Sequence, residues 1–165
     1  MGAQSGQLTI FVGGAEKDCA EAIEVIKPYT KRAERVGGSG SGQMAKMANQ
    51  IAVACSLLGL CECLSFAEKA GLDLGQMRDM IGGGAGGSWS FQNYGSRILN
   101  RDWTPGFSVK NQRKDLAYCR DAAANIGASV PGTKLVDDLL KVLQDEGRGD
   151  EATTALFEIL ERGTS

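Results

Sequence analysis

Histidine is absent from this 165-residue chain. That removes Ser–His–Asp and Cys–His catalysis together with the commonest zinc ligand, and leaves any acid–base chemistry to Lys, Asp, Glu, Tyr or Cys. An excess of charge is lacking too: a net charge of −2 gives no electrostatic reason to expect nucleic acid or an anionic membrane as partner. The longest uncharged run, Met47 to Cys61, is interrupted by Asn49, Gln50, Ser56 and Gly59. It falls short of the ~18–20 apolar residues a membrane span needs. The opening MGAQSGQ has neither the basic nor the apolar segment of a signal peptide. Five cysteines are an odd number, and three of them sit in one apolar helical pattern, so no disulfide framework is expected. A soluble protein of a reducing compartment, the cytoplasm, is the expectation. Cys61 and Cys63 are two apart and point in different directions on a helix, so no metal site is expected there.

What is present is ordinary for a globular domain: 42% apolar and 23% charged residues, in a chain long enough to bury a core. Gln7 to Val12 alternates, is rich in β-branched and aromatic residues, and stops at Gly13-Gly14, which predicts a strand and a turn. A helical stripe through Cys19, Ile23 and Ile26 ends near Pro28. A short second strand is expected near Arg35-Val36. From Ser41 to about Ala70 the helical pattern runs on without proline, with Ser41 as N-cap and Gly71 as stop. Its middle, Ile51 to Cys61, is apolar nearly all round and must be enclosed by other helices or by a second subunit. Five shorter helices are predicted over Asp73–Ile81, Ser88–Leu99, Val109–Ile126, Thr133–Glu146 and Ala152–Leu160. The fold class is therefore mainly α: a long central helix packed by about five shorter ones, preceded by a small strand–helix–strand segment.

Two motifs invite chemistry. Gly40, Gly42 and Ala45 match G-x-G-x-x-A, the dinucleotide fingerprint, but that motif needs a following strand, and Glu62, at the distance of a ribose-binding acid, lies in a helical run. The glycines still place N–H groups at a helix N-terminus, which suits a carboxylate or phosphate. Lys46, Asn49 and Gln50 share one helix face a turn later. Spacing alone leaves two readings open: a solvated helix start, or a lysine delivering a proton to a carbonyl oxygen with Asn49 orienting it or the substrate.

The run GSGSGQMAKMANQ (Gly38 to Gln50) resembles the G-x-G-x-x-x-K-x-x-N segment of the β-hydroxyacid dehydrogenase family, which includes 3-hydroxyisobutyrate dehydrogenase and the tartronate, glyoxylate and succinic semialdehyde reductases. Gly40, Gly42, Lys46 and Asn49 fall on its four fixed positions. Three further stretches agree in order: Gly2 to Leu8 resembles the family's G-A-x-x-G-T-L turn with Gln7 in place of Thr, Ser88 to Gly95 its serine–aromatic helix start, and Phe107 to Leu116 its cofactor-facing segment ending in K-D-L. The wording FSVKNQRKDL leans towards the glyoxylate/succinic semialdehyde branch.

The resemblance implies Lys46 as catalytic acid/base with Asn49, Gly42 and Phe107 at the substrate, and Lys114 and Asp115 at the nicotinamide side of NAD or NADP, with NADPH favoured. Without it, Lys114-Asp115 reads as a solvated pair. The family begins with a Rossmann domain and a serine–glycine–glycine segment that this sequence does not carry. Residues 1–38 are thus expected to be a strand–helix–strand remnant of the nucleotide-binding sheet, and 39–165 the helical substrate and dimerisation domain. By itself the chain is expected to be inactive and to bind NAD(P) weakly or not at all. The implied partners are a small carboxylate-bearing aldehyde or hydroxy acid and further copies of the chain, as a homodimer or higher homo-oligomer. The other reading, from the all-round apolar helix, is a non-catalytic dimerisation or interaction module.

Overall fold

The computed structural model describes residues 3–163. Packing divides the chain into two units, with the division between Asn49 and Gln50 inside its longest helix. The line expected from sequence, between 38 and 39, precedes that helix.

In the first unit β1 (Leu8–Gly13) leads through Gly14-Ala15 into α1 (Glu16–Ile26). Pro28 then forces a short 3-10 turn, Lys27–Tyr29, and the chain returns as β2 (Thr30–Gly37). The two strands pair in parallel, with Ile10 opposite Ala33 and Phe11 opposite Glu34. Strand β2 is longer than the expected segment near Arg35-Val36. Its charged residues Lys31, Arg32, Glu34 and Arg35 hide it from a hydrophobic pattern, and pairing with β1 supplies what the pattern lacks. Ahead of β1, Gly6 adopts φ +65 and its N–H donates to Ala3 O, so residues 3–6 form the turn that the glycine pattern implies. Gly2 of that motif lies outside the described residues.

Helix α2 (Ser41–Lys69) is the 29-residue rod expected from the proline-free stretch. Gly40, at φ +87, rather than Ser41, stands at the cap position, since its carbonyl already accepts the Met44 N–H. At the far end Gly71 takes φ +72, its N–H donates to Glu68 O, and Leu72 N–H donates to Ala67 O, a Schellman stop. By length and composition α2 is apolar enough to cross a membrane. Within the second unit it is a core helix instead: Leu57, Leu60, Cys61 and Leu64 are completely buried.

Five shorter helices follow: α3 (Leu74–Gly82), α4 (Trp89–Leu99), α5 (Val109–Ile126), α6 (Pro131–Asp145) and α7 (Leu156–Arg162). The fold is therefore mainly α, as expected. Helix α6 starts two residues before its expected Thr133 because Pro131 sits at N1, where no N–H is needed. A 3-10 turn, Thr153–Ala155, replaces the expected first turn of α7. Ser88 caps α4 by accepting the Phe91 N–H, and Trp89 meets Tyr94 edge to face with ring centroids 5.0 Å apart. The core combines the α2 leucines with Ile98, Leu116, Leu140 and Phe157. Between α5 and α6 the nearly buried Asp137 carboxylate accepts from Arg113 (2.8 Å) and Arg120 (2.9 Å), which pins the two helices in rotation as well as in distance.

The connection from α4 to α5, residues 100–108, is held by side chains of α4 and α7. Arg97 donates to Asp102 Oδ2 (3.1 Å) and to the carbonyls of Asp102 and Thr104, while Trp103 Nε1 donates to Glu158 (3.1 Å). The Arg97 guanidinium, with the Thr104 N–H and hydroxyl, holds the Asp102 carboxyl down at about 2. A carboxylate depressed below its ordinary value of ~3.9 stabilises the fold fully above that value and loses the contribution as pH falls through the lower one. The Thr104 amide, which donates to Asp102 Oδ1 at 3.0 Å, is accordingly expected to titrate by NMR with a midpoint near 2. A midpoint at the ordinary aspartate value would mean that Arg97 does not hold this carboxylate.

Candidate active site

The glycines before α2 are explained by a contact between main chains. A Cβ on Gly42 would lie 2.8 Å from Phe11 O, and one on Gly13 would lie 2.6 Å from Gly42 N and 2.8 Å from Gly38 O. Only hydrogen at both positions lets the end of β1 touch the first turn of α2. This use of the glycines also answers the fingerprint reading. A helix of 29 residues and then another helix follow Gly40 and Gly42; among the described residues no strand does, and Glu62 lies within α2. The Ser41 N–H is already donated to Gly38 O (3.1 Å), so the expected anion cradle is partly committed to the turn itself.

One turn further on, this contact opens into a cavity of about 350 Å³ lined by Thr9, Ile10, Phe11, Gly42, Lys46 and Asn49. Spacings of four and three along α2 put Gly42, Lys46 and Asn49 on the same face, and the structure brings these three candidate residues together. Lys46 and Asn49 are solvent-accessible in this unit. Strand β1 supplies the other wall, through Thr9, Ile10 and Phe11. Sequence reasoning missed that wall. Its one signal was Gly13, whose need for a bare Cα marks where β1 meets another backbone.

Lys114 and Asp115 lie in the second unit, on the second turn of α5. The Lys114 ammonium is 3.6 Å from Asp115 Oδ1, with Lys114 58% exposed and Asp115 21%. The other carboxylate oxygen, Oδ2, accepts from Gln50 Nε2 at 2.7 Å. Phe107 is half-buried two residues before α5, and its carbonyl accepts the Thr153 N–H at 3.1 Å. Val109 N–H, donated to Glu151 O, ties down the same strip of chain.

Fold and cavity together define a helix-rich domain that gathers a lysine and an amide at a glycine-bound helix start. Residues 40–160 match the family model described as NAD-binding of NADP-dependent 3-hydroxyisobutyrate dehydrogenase. A probable 3-hydroxyisobutyrate dehydrogenase-like protein of Arabidopsis thaliana is 42% identical over 162 residues, covering 98% of this chain and 48% of the relative. The 2-hydroxy-3-oxopropionate reductase of Escherichia coli is 33% identical over 161 residues, covering 98% and 55%. Among solved structures, the 3-hydroxyisobutyrate dehydrogenase of Mycobacterium tuberculosis, solved with L-serine, superposes with a TM-score of 0.87 at 30% identity, covering 96% of this chain and 57% of that one.

The chain belongs to the β-hydroxyacid dehydrogenase family, an NAD(P)-dependent oxidoreductase family. It spans about half the length of the curated relatives it matches. The reading as a non-catalytic module is not favoured, because these relatives are named as dehydrogenases and reductases.

Proposed function

We propose that this chain supplies the substrate-side half of an NAD(P)-dependent enzyme that interconverts a small hydroxy acid and its semialdehyde or keto acid. The observation that carries the reading is one cavity holding both Lys46 and Asn49, a turn after a glycine-bound helix start. A nicotinamide cofactor, when bound, supplies or accepts the hydride. Lys46 gives a proton to the carbonyl oxygen as it becomes an alcohol, and takes it back in the oxidative direction. Asn49, three residues on along the same face, orients the ammonium or the substrate. Gly42 leaves the cavity wall as main chain, and Phe107, in the second unit, is a substrate contact on the family resemblance alone.

The α5 pair fits the nicotinamide end of the cofactor. A carboxamide both gives and takes hydrogen bonds, and Lys114 with Asp115 presents one donor and one acceptor side by side. Neither glycine turn fits a pyrophosphate: α1 opens with Glu16 and Asp18 in its first turn, and at α2 Gly42 is pressed against Phe11 O. Strong binding of NAD(P) therefore requires a nucleotide-binding half of the kind the relatives' greater length accommodates, and this chain alone binds the cofactor weakly or not at all.

A homodimer or higher homo-oligomer is part of the reading, since Ala52, Cys55, Gly59 and Phe66, with Glu62 among them, leave a largely apolar face of α2 exposed. So is a reducing, cytoplasmic setting, which suits five free cysteines. The test is a panel of small carboxylate-bearing aldehydes and keto acids with NADPH and NADH, given to the protein together with its nucleotide-binding half. Cofactor oxidation with at least one member, NADPH being the better donor, is the expected result. No oxidation with any member, by folded protein, overturns the reading.

A further inference from the structure

We propose that Gln50 is the positioning residue of the cofactor-side pair, a neutral anchor that fixes the Asp115 carboxylate and through it the Lys114 ammonium. The proposal rests on reading Lys114 and Asp115 as contacts to the nicotinamide side. Gln50 is 5% exposed and is followed along α2 by the nearly all-apolar run Ile51 to Cys61. A buried amide in such a place is costly unless its hydrogen bonds are made. Its Nε2 donates to Asp115 Oδ2 at 2.7 Å, across 65 residues of sequence. The remaining oxygen, Oδ1, faces the Lys114 ammonium at 3.6 Å. Each carboxylate oxygen thus has its own partner, one buried and rigid, the other on a flexible and mostly exposed stem.

The chemical type of the anchor matters. An amide holds the carboxylate by a hydrogen bond and adds no charge of its own, which leaves Asp115 to accept from a ligand amide and to restrain Lys114. An arginine in its place would cancel that charge, and a glutamate would repel it. Gln50 itself need not touch the cofactor: its effect on the pair is transmitted by its hydrogen bond to Asp115.

The experiment is a fluorescence titration with NADPH of the protein joined to its nucleotide-binding half, comparing wild type with Gln50→Met, Gln50→Glu and Lys114→Ala. Gln50→Met keeps the length of the side chain and removes the donor. It is expected to weaken NADPH binding about ten-fold or more, the order for losing a hydrogen bond to a charged group. In Gln50→Glu two carboxylates share the site, so one holds a proton well above the ordinary carboxylate range. Protonated, the introduced carboxyl donates to Asp115 as the amide does; ionised, it repels it. Relative to wild type, this variant should bind NADPH nearly normally at about pH 5.5 and poorly at about pH 8. A folding defect does not produce that switch, because one polypeptide is read at two pH values and thermal melts accompany both.

If Lys114→Ala weakens binding and Gln50→Met does not, the anchor role is overturned while the cofactor-side reading stands. Should Lys114→Ala leave NADPH affinity unchanged, the cofactor-side reading and the proposal fall together. A Gln50→Glu variant indifferent to pH likewise overturns the proposal.

Discussion

Replacing Lys46 by alanine, in the protein joined to a nucleotide-binding half, is expected to lower turnover by ~10²–10⁴-fold, the range for losing a general acid. The reason lies in the cavity's donor set. Among the polar residues that line the cavity, Thr9, Lys46 and Asn49, an amine is the group best suited to give a proton to a carbonyl oxygen. No histidine exists anywhere in the chain to substitute for it. Reduction by NADPH should fall in kcat, with the NADPH dissociation constant little changed, because the proposed role of Lys46 is on the oxygen and not on the nucleotide. An alanine variant that turns over at the wild-type rate would show that the proton comes from elsewhere, and Lys46 would then be a solvated residue at a helix start.

The second large effect concerns stability. Phe157 is 1% exposed on α7, and the Arg101 guanidinium lies 5.0 Å from its ring centroid. Phe157→Ala removes a whole ring from a packed core, a change that costs ~3–5 kcal/mol. The cation–π contact adds ~0.5–1 kcal/mol to that loss. The consequence reaches the connection between α4 and α5. Helix α7 also carries Glu158, which accepts from Trp103, and Glu161, which pairs with Arg101, so loosening α7 releases the strip that leads to Phe107. Chemical denaturation should show a lower midpoint with an unchanged slope, and Phe157→Leu should recover most of the loss. A midpoint equal to wild type in Phe157→Ala would mean that the core closes over the missing ring.

Much of this arrangement was legible in the amino-acid order. Helix α2 announces itself by a glycine-rich start, thirty proline-free positions and a glycine stop, and Lys46 and Asn49 stand on one face by spacing alone. Three things were not legible, each for its own reason. The strand β2 is made of charged residues, so its membership in a sheet comes from its partner and not from its own pattern. The β1 wall of the cavity depends on where a parallel strand lands after a crossover, which no local rule states. Gln50 was visible as a polar neighbour of Asn49, yet its meaning waits on Asp115, far along the chain and reachable only once α5 has packed. Local signals mark helix ends well; pairings between distant side chains are decided by tertiary packing.

The backbone-to-backbone seam between Gly13 and Gly42 sets a boundary condition for redesign. Enzyme engineers enlarge a binding site by trimming the groups that crowd it, and here one side offers nothing to trim. Any widening of this cavity has to come from the side chains that line it, while that side stays as immovable as the peptide bonds that form it.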